Sequence, residues 1–118
     1  MASVVPITEF RRKAPYLHFT RSEFFRLLDL YSRRVMSGEW RDYAISHGPG
    51  MACFFIFRHA AESPLFVISK LETRGKDRAG AARNGRYLVT SNHKKLSQGH
   101  SLDDVLKVLE RPFRLITS

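Results

Sequence analysis

The chain has 118 residues, enough for one domain with a single real core and no need of disulfides or a bound metal. Its 43% apolar and 12% aromatic content excludes the disordered class, and its longest apolar run, Met51 to Phe57, is far short of the roughly 18 to 20 residues of a membrane span. The formal charge of +9 points to polyanions: nucleic acid, an anionic membrane surface or an acidic protein partner.

Residues 1–15 carry no period and hold Pro6 and Pro15, so they read as a flexible basic N-terminal arm ending in Arg11, Arg12 and Lys13. Those cations follow a weak apolar start and do not precede a strong one, so no export signal is expected. Residues 16–118 read as a single α+β domain, opening on a short edge strand over Tyr16 to Phe19. Thr20 and Glu23 stand at capping-box spacing, and Phe24, Leu27, Leu28, Tyr31 and Val35 recur at helical spacing, which predicts a helix from Arg21 to Ser37. Gly38 sits where the chain must leave that helix in a left-handed conformation. Arg26, Arg33 and Arg34 fall off the apolar stripe and read as a solvated face.

Trp40 to Ser46 alternates as a strand, His47-Gly48-Pro49-Gly50 supplies turn residues, and Met51 to Arg58 returns as the second strand. A four-residue turn sets Tyr43 opposite Phe54 and Ile45 opposite Ala52. Trp40 reads as a core plug. A third strand, Leu65 to Leu71, places Phe66 and Ile68 with Tyr43, Phe54 and Ile56 on one face. The other face then holds Phe55, Phe57, Leu65 and Val67. Both faces are apolar, so helices cover one, and the other meets further chain or serves as a contact surface.

From residue 72 to 86 the composition turns to Gly, Ala and charge, as in a mobile basic loop. Between Arg74 and Lys95 the seven basic residues Arg74, Lys76, Arg78, Arg83, Arg86, Lys94 and Lys95 stand against a single acid, Asp77. That hairpin runs from Arg86 to Thr90 and from Lys94 to Ser97. Ser101 caps a second helix with Asp103 and Asp104 in its first turn and Leu102, Val105, Leu106 and Leu109 on its buried stripe. Pro112 stops it, and Phe113 to Ile116 reads as a last edge strand. The expected architecture is a mostly antiparallel sheet of about five to six strands with two helices packed on one face.

Four stretches carry a likeness to a known family: SEFFRLLDLYSRRVMSGEWRDYAI (Ser22 to Ile45), FIFRHAAESPLF (Phe55 to Phe66), RYLV (Arg86 to Val89) and GHSLDDVLKVLE (Gly99 to Glu110). In these the chain resembles an alphaproteobacterial family known as domain of unknown function 2794. The resemblance implies a cytoplasmic bacterial protein and no known activity. The stretch from Glu72 to Asn84 departs from the family pattern, as does Gln98, where the family carries a basic residue.

The chemistry-bearing residues form no catalytic pattern. The five histidines, at positions 18, 47, 59, 93 and 100, lack the close pairing of a zinc site, and the lone Cys53 sits inside the apolar run. Among Glu39, Asp42, His47, His59 and Glu62, the two histidines lie at opposite ends of one strand. Asp42 is expected to pair with a neighbouring arginine. No phosphate loop, nucleophile elbow or dinucleotide fingerprint occurs. Neither an enzyme, a cofactor nor a metal is expected. The favoured function is low-specificity binding of DNA or RNA through Arg74, Lys76, Arg78, Arg83, Arg86, Lys94 and Lys95, with Tyr87 stacking on a base. The alternative is an interaction module binding an acidic protein or a second copy through Phe55, Phe57, Leu65 and Val67.

Overall fold

The computed structural model describes residues 16–59, 63–72 and 86–110. The N-terminal arm, most of the basic segment and the expected strand at Phe113 to Ile116 lie outside them. The described elements are β1 (Tyr16–Leu17), α1 (Arg21–Met36), β2 (Asp42–Pro49), β3 (Met51–Phe57), β4 (Phe66–Leu71), β5 (Tyr87–Ser91), β6 (Lys94–Gly99) and α2 (Leu102–Glu110). The six strands form one antiparallel sheet in the order β1-β2-β3-β4-β5-β6, each strand paired with the next in sequence.

Local chemistry sets the ends of α1. The Glu23 N–H donates to Thr20 Oγ1 at 3.1 Å and the Thr20 N–H donates to Glu23 Oε1 at 2.8 Å, closing the capping box that the spacing predicts. Gly38, at φ +84°, takes the chain out of the helix.

The β2–β3 hairpin is tighter than the sequence suggests. Strand β2 continues through His47 and Gly48 to Pro49, and the turn rests on Pro49 and Gly50 alone, with Gly50 at φ +77°. Proline followed by a glycine of positive φ is the pairing a type II turn requires. The ladder is therefore shifted by two residues from the expected one, with Tyr43 opposite Ile56 and Ile45 opposite Phe54. A shift of two keeps every side chain on its expected face. Between β5 and β6 the turn residues Asn92 and His93 both have positive φ, at 55° and 68°, as in the two-residue turns that suit strand twist.

Both helices pack on one sheet face. Ala52, Phe54, Ile56, Ile68 and Val89 point into that layer and meet Leu27 and Leu30 of α1 and Leu102, Val105, Leu106 and Leu109 of α2. A fully buried side chain of this size contributes about 1.5–3 kcal/mol, so the layer holds the domain together. Trp40 is buried at its end, 6.0 Å from the Phe66 ring centroid. The stripe of α2 is the one expected. In α1 the expected Leu27 is buried and Phe24, Leu28 and Tyr31 pack against the core, but Val35 is exposed and Leu30 is fully buried, because the inward line also takes in Glu23, Leu30 and Arg34.

Arg26, Arg33 and Arg34 are all ion-paired, and of the three only Arg33 stands on a solvated face. Arg26 bridges the helices, its Nε 2.6 Å from Asp103 Oδ1 and its Nη2 donating to Glu110. Arg34 pairs with Glu39 at 3.0 Å and also donates to the Leu109 carbonyl at the end of α2. Arg33 pairs with Asp29 one turn back, at 2.9 Å.

Candidate functional site

Along β3 the side chains alternate strictly. Ala52, Phe54 and Ile56 are buried under the helices, while Cys53, Phe55 and Phe57 are half-buried on the opposite face. Across the ladder Phe55 stands opposite Val67 and Ala44, and Cys53 opposite Ser69, whose hydroxyl lies 3.5 Å from the thiol. Leu71 and Leu88 extend this second face. No helix among the described residues covers it. Of the four residues expected there, Phe55, Phe57 and Val67 share the face. Leu65 does not join them, because it packs against the core from the chain that leads into β4.

A second surface lies at the β2 edge. Strand β1 pairs only with Gly48 and Pro49, so it leaves most of the edge of β2 uncovered. The Glu72 N–H donates to the Gly50 carbonyl at 2.9 Å and the Leu71 N–H to the Arg86 carbonyl at 2.7 Å. Backbone groups point alternately to either side of a strand. The two bonds therefore turn the groups of Asp42, Ala44 and Ser46 toward β3 and those of Tyr43, Ile45 and His47 outward. Two of these outward groups are occupied: the Tyr43 N–H donates to Asp42 Oδ1 at 2.8 Å, and the Tyr16 hydroxyl donates to the His47 carbonyl at 2.9 Å. Asp42 thus caps its neighbour's backbone and forms no ion pair with an arginine among the described residues. Beside this edge, on the helix side, lies an open groove of about 520 Å³ lined by Phe19, Thr20, Arg21, Phe24, Phe25, Ile45 and His47. The His47 ring lies 4.8 Å from that of His18.

Between α1 and the sheet sits a buried polar cluster. Glu23 accepts from Lys70 Nζ at 2.9 Å and from the Tyr87 hydroxyl, and Lys70 Nζ also donates to the His18 carbonyl at 3.0 Å. The Glu23 and Lys70 side chains are only 13% and 7% exposed. Burial pushes the Glu23 carboxyl up, but the hydrogen bonds from Tyr87, Lys70 and the Thr20 backbone outweigh it and hold the group below its ordinary value of 4.5. Burial, and then the hydrogen bond to Glu23, push the Tyr87 phenol up to about 12. The hydrogen bonds of this cluster run among its members, to the α1 cap and to the His18 carbonyl, so it ties helix to sheet.

The expected nucleic-acid residues divide. Arg74, Lys76, Arg78 and Arg83 lie outside the described residues. Lys94 and Lys95 are exposed at the β5–β6 hairpin, where Lys95 Nζ donates to Gln98 at 3.3 Å. Arg86 is half-buried, its guanidinium carbon 5.9 Å from the Tyr87 ring centroid. Tyr87 cannot take the stacking role: its ring is in the core at 7% exposure and its hydroxyl is bound to Glu23, so it offers no open face to a base. The sequence did hold a sign of this cluster, since Lys70 stands two residues from Ile68 on the inward side of an apolar strand. Among the described residues no group of three or more His, Cys, Asp or Glu is placed to hold a metal, and no helix is long and apolar enough to cross a membrane.

These features define a small α+β domain, a six-stranded meander with two helices on one face and an apolar second face. The chain belongs to the family described as Protein of unknown function (DUF2794), whose model matches residues 17–106. No curated protein and no solved structure matches the chain.

Proposed function

We propose that the protein is an interaction module of the bacterial cytoplasm that pairs with a second copy of itself through the open sheet face. The observation that supports this reading is that Phe55, Phe57 and Val67 stand on the face opposite both helices. The second face of an antiparallel sheet is commonly polar, so a contiguous apolar one marks an interaction surface. The face also suits its own copy. Asp42 and Lys95 occupy it on the outer strands β2 and β6, and a two-fold axis parallel to the strands lays β2 of each copy over β6 of the other. Each acid then approaches a cation at the margin of an apolar centre.

Sedimentation equilibrium tests the reading. The wild type is expected to dimerise, Phe55→Ser to be monomeric with an unchanged circular-dichroism spectrum, and Lys95→Glu to dimerise less tightly because it sets like charges opposite each other. A wild type that stays monomeric, or a Phe55→Ser protein that dimerises as well as wild type, rejects it. Nucleic-acid binding is the second reading, favoured by the exposed pair Lys94 and Lys95, which follow the cations from Arg74 to Arg86 in the sequence. Under it, replacing Arg78, Arg83 and Arg86 together by Gln abolishes binding of labelled RNA and DNA oligomers and leaves the oligomeric state unchanged. Full retention of affinity in that triple variant removes the reading.

A further inference from the structure

We infer that the exposed edge of β2, together with the groove beside it, is a docking site for an extended acidic peptide, which adds to the sheet as a further strand. Two independent features converge here. The first is backbone capacity: the Ile45 N–H and C=O and the Tyr43 C=O point outward and have no partner among the described residues. The chain itself leaves this edge, since after Leu17 it turns through Thr20 into α1. The second is the groove, which lies on the side of the sheet toward which Ile45 and His47 project. A strand laid along β2 sends alternate side chains to that same side. One of them, next to Ile45, enters the space between Phe19, Phe24 and Phe25, and the main chain supplies affinity while this pocket selects the residue.

The polarity of the site chooses the charge of the peptide. Arg21 lines the groove and forms no ion pair among the described residues, and Arg41 is exposed at the far end of the edge. Glu23, the acid closest in sequence, is committed to Lys70 and Tyr87. At one end the Asp42 cap on the Tyr43 N–H stops the ladder, and at the other Tyr16 covers His47. The docking register is thereby confined to a short segment centred on Ile45. This also separates the site from the open sheet face, so neither proposal depends on the other.

The test uses the full chain and a fluorescein-labelled peptide that alternates Glu and Val around a central Leu. Its lysine counterpart and a version N-methylated at the central Leu serve as comparisons. Anisotropy is expected to show saturable binding of the acidic peptide, a loss of about tenfold on N-methylation, which removes one backbone hydrogen bond, and a similar loss in Arg21→Gln. Amide hydrogen exchange at Ile45 is expected to slow when the peptide is bound. Phe25 is 58% exposed, so Phe25→Ser removes a groove wall without touching the core and is expected to weaken binding. Equal binding of the acidic and lysine peptides, indifference to N-methylation, or no saturable binding overturns the inference. So does protection of Ile45 that rises with protein concentration alone, since the edge would then pair with a second copy.

Discussion

At the scale of single residues, the best-determined point in the molecule is Glu23, which serves both the α1 cap and the Lys70–Tyr87 cluster. Glu23→Gln keeps the shape but removes the counter-charge from a buried ammonium, a change expected to cost about 3 kcal/mol. Replacing Lys70 by Met in the same chain should recover much of that loss, since no buried charge is then left alone, and urea unfolding of the two single variants and the double variant measures the coupling. The same group contributes to the acid sensitivity of the fold. Its folded pKa lies below the ordinary 4.5, so its contribution is fully present above that value and is lost as pH falls through the folded one. Tyr87 acts at the other extreme. Its phenol is raised from 10.0 to about 12, so its contribution is complete below 10.0 and is lost as pH climbs between the two. Stability measured against pH should fall at both ends, and Glu23→Gln should flatten the acid limb. An acid limb unchanged by that substitution places the acid sensitivity elsewhere.

At the scale of elements, the helices and strands were legible in the sequence, but charge inside an interface was not. Periodicity located α2 and its stripe because all four inward residues are apolar. In α1 the inward side begins with Glu23 and ends near Arg34, so apolar spacing alone finds Phe24, Leu27, Leu28 and Tyr31 but carries the stripe on to the exposed Val35 and passes over Leu30. The same limit hid the role of Tyr87: its inward pleat position was readable, and its polar partner, 64 residues away, was not. The hairpin register differs for another reason, since His47 and Gly48 read as turn residues but pair in the ladder, and Pro49 and Gly50 suffice for the turn. Pairs such as Arg26 with Asp103 and Glu110 now account for how α1 and α2 keep their relative position. Arg26→Met should lower stability by about 1 kcal/mol, because the guanidinium is only 26% exposed and serves two acids, whereas Arg33→Met, at 56% exposure, should change it by less than about 0.5 kcal/mol. Thermal melts that rank these two variants the other way would show that the helices are held by their apolar stripe alone.

For the whole molecule, the decisive quantity is where the net charge resides. Eleven of the 20 Lys and Arg and eight of the 11 Asp and Glu lie among the described residues. These carry a surplus of only three, and most of their cations on α1 are internally paired. The remaining surplus of six lies outside them, chiefly from Arg74 to Arg83 and Arg11 to Lys13. The described residues thus carry little of the charge of a strongly basic chain, and the two functional readings respond to salt with opposite sign. Two copies of +9 repel each other, and salt screens that repulsion while leaving apolar burial intact. The dimer should thus tighten between about 50 and 200 mM salt, whereas an oligonucleotide complex loses affinity over the same range by counterion release. Measuring both equilibria on one preparation separates the readings. A dimer that loosens as salt rises would mean that marginal ion pairs such as Asp42 with Lys95 hold it, and that Phe55, Phe57 and Val67 are covered by something other than a second copy.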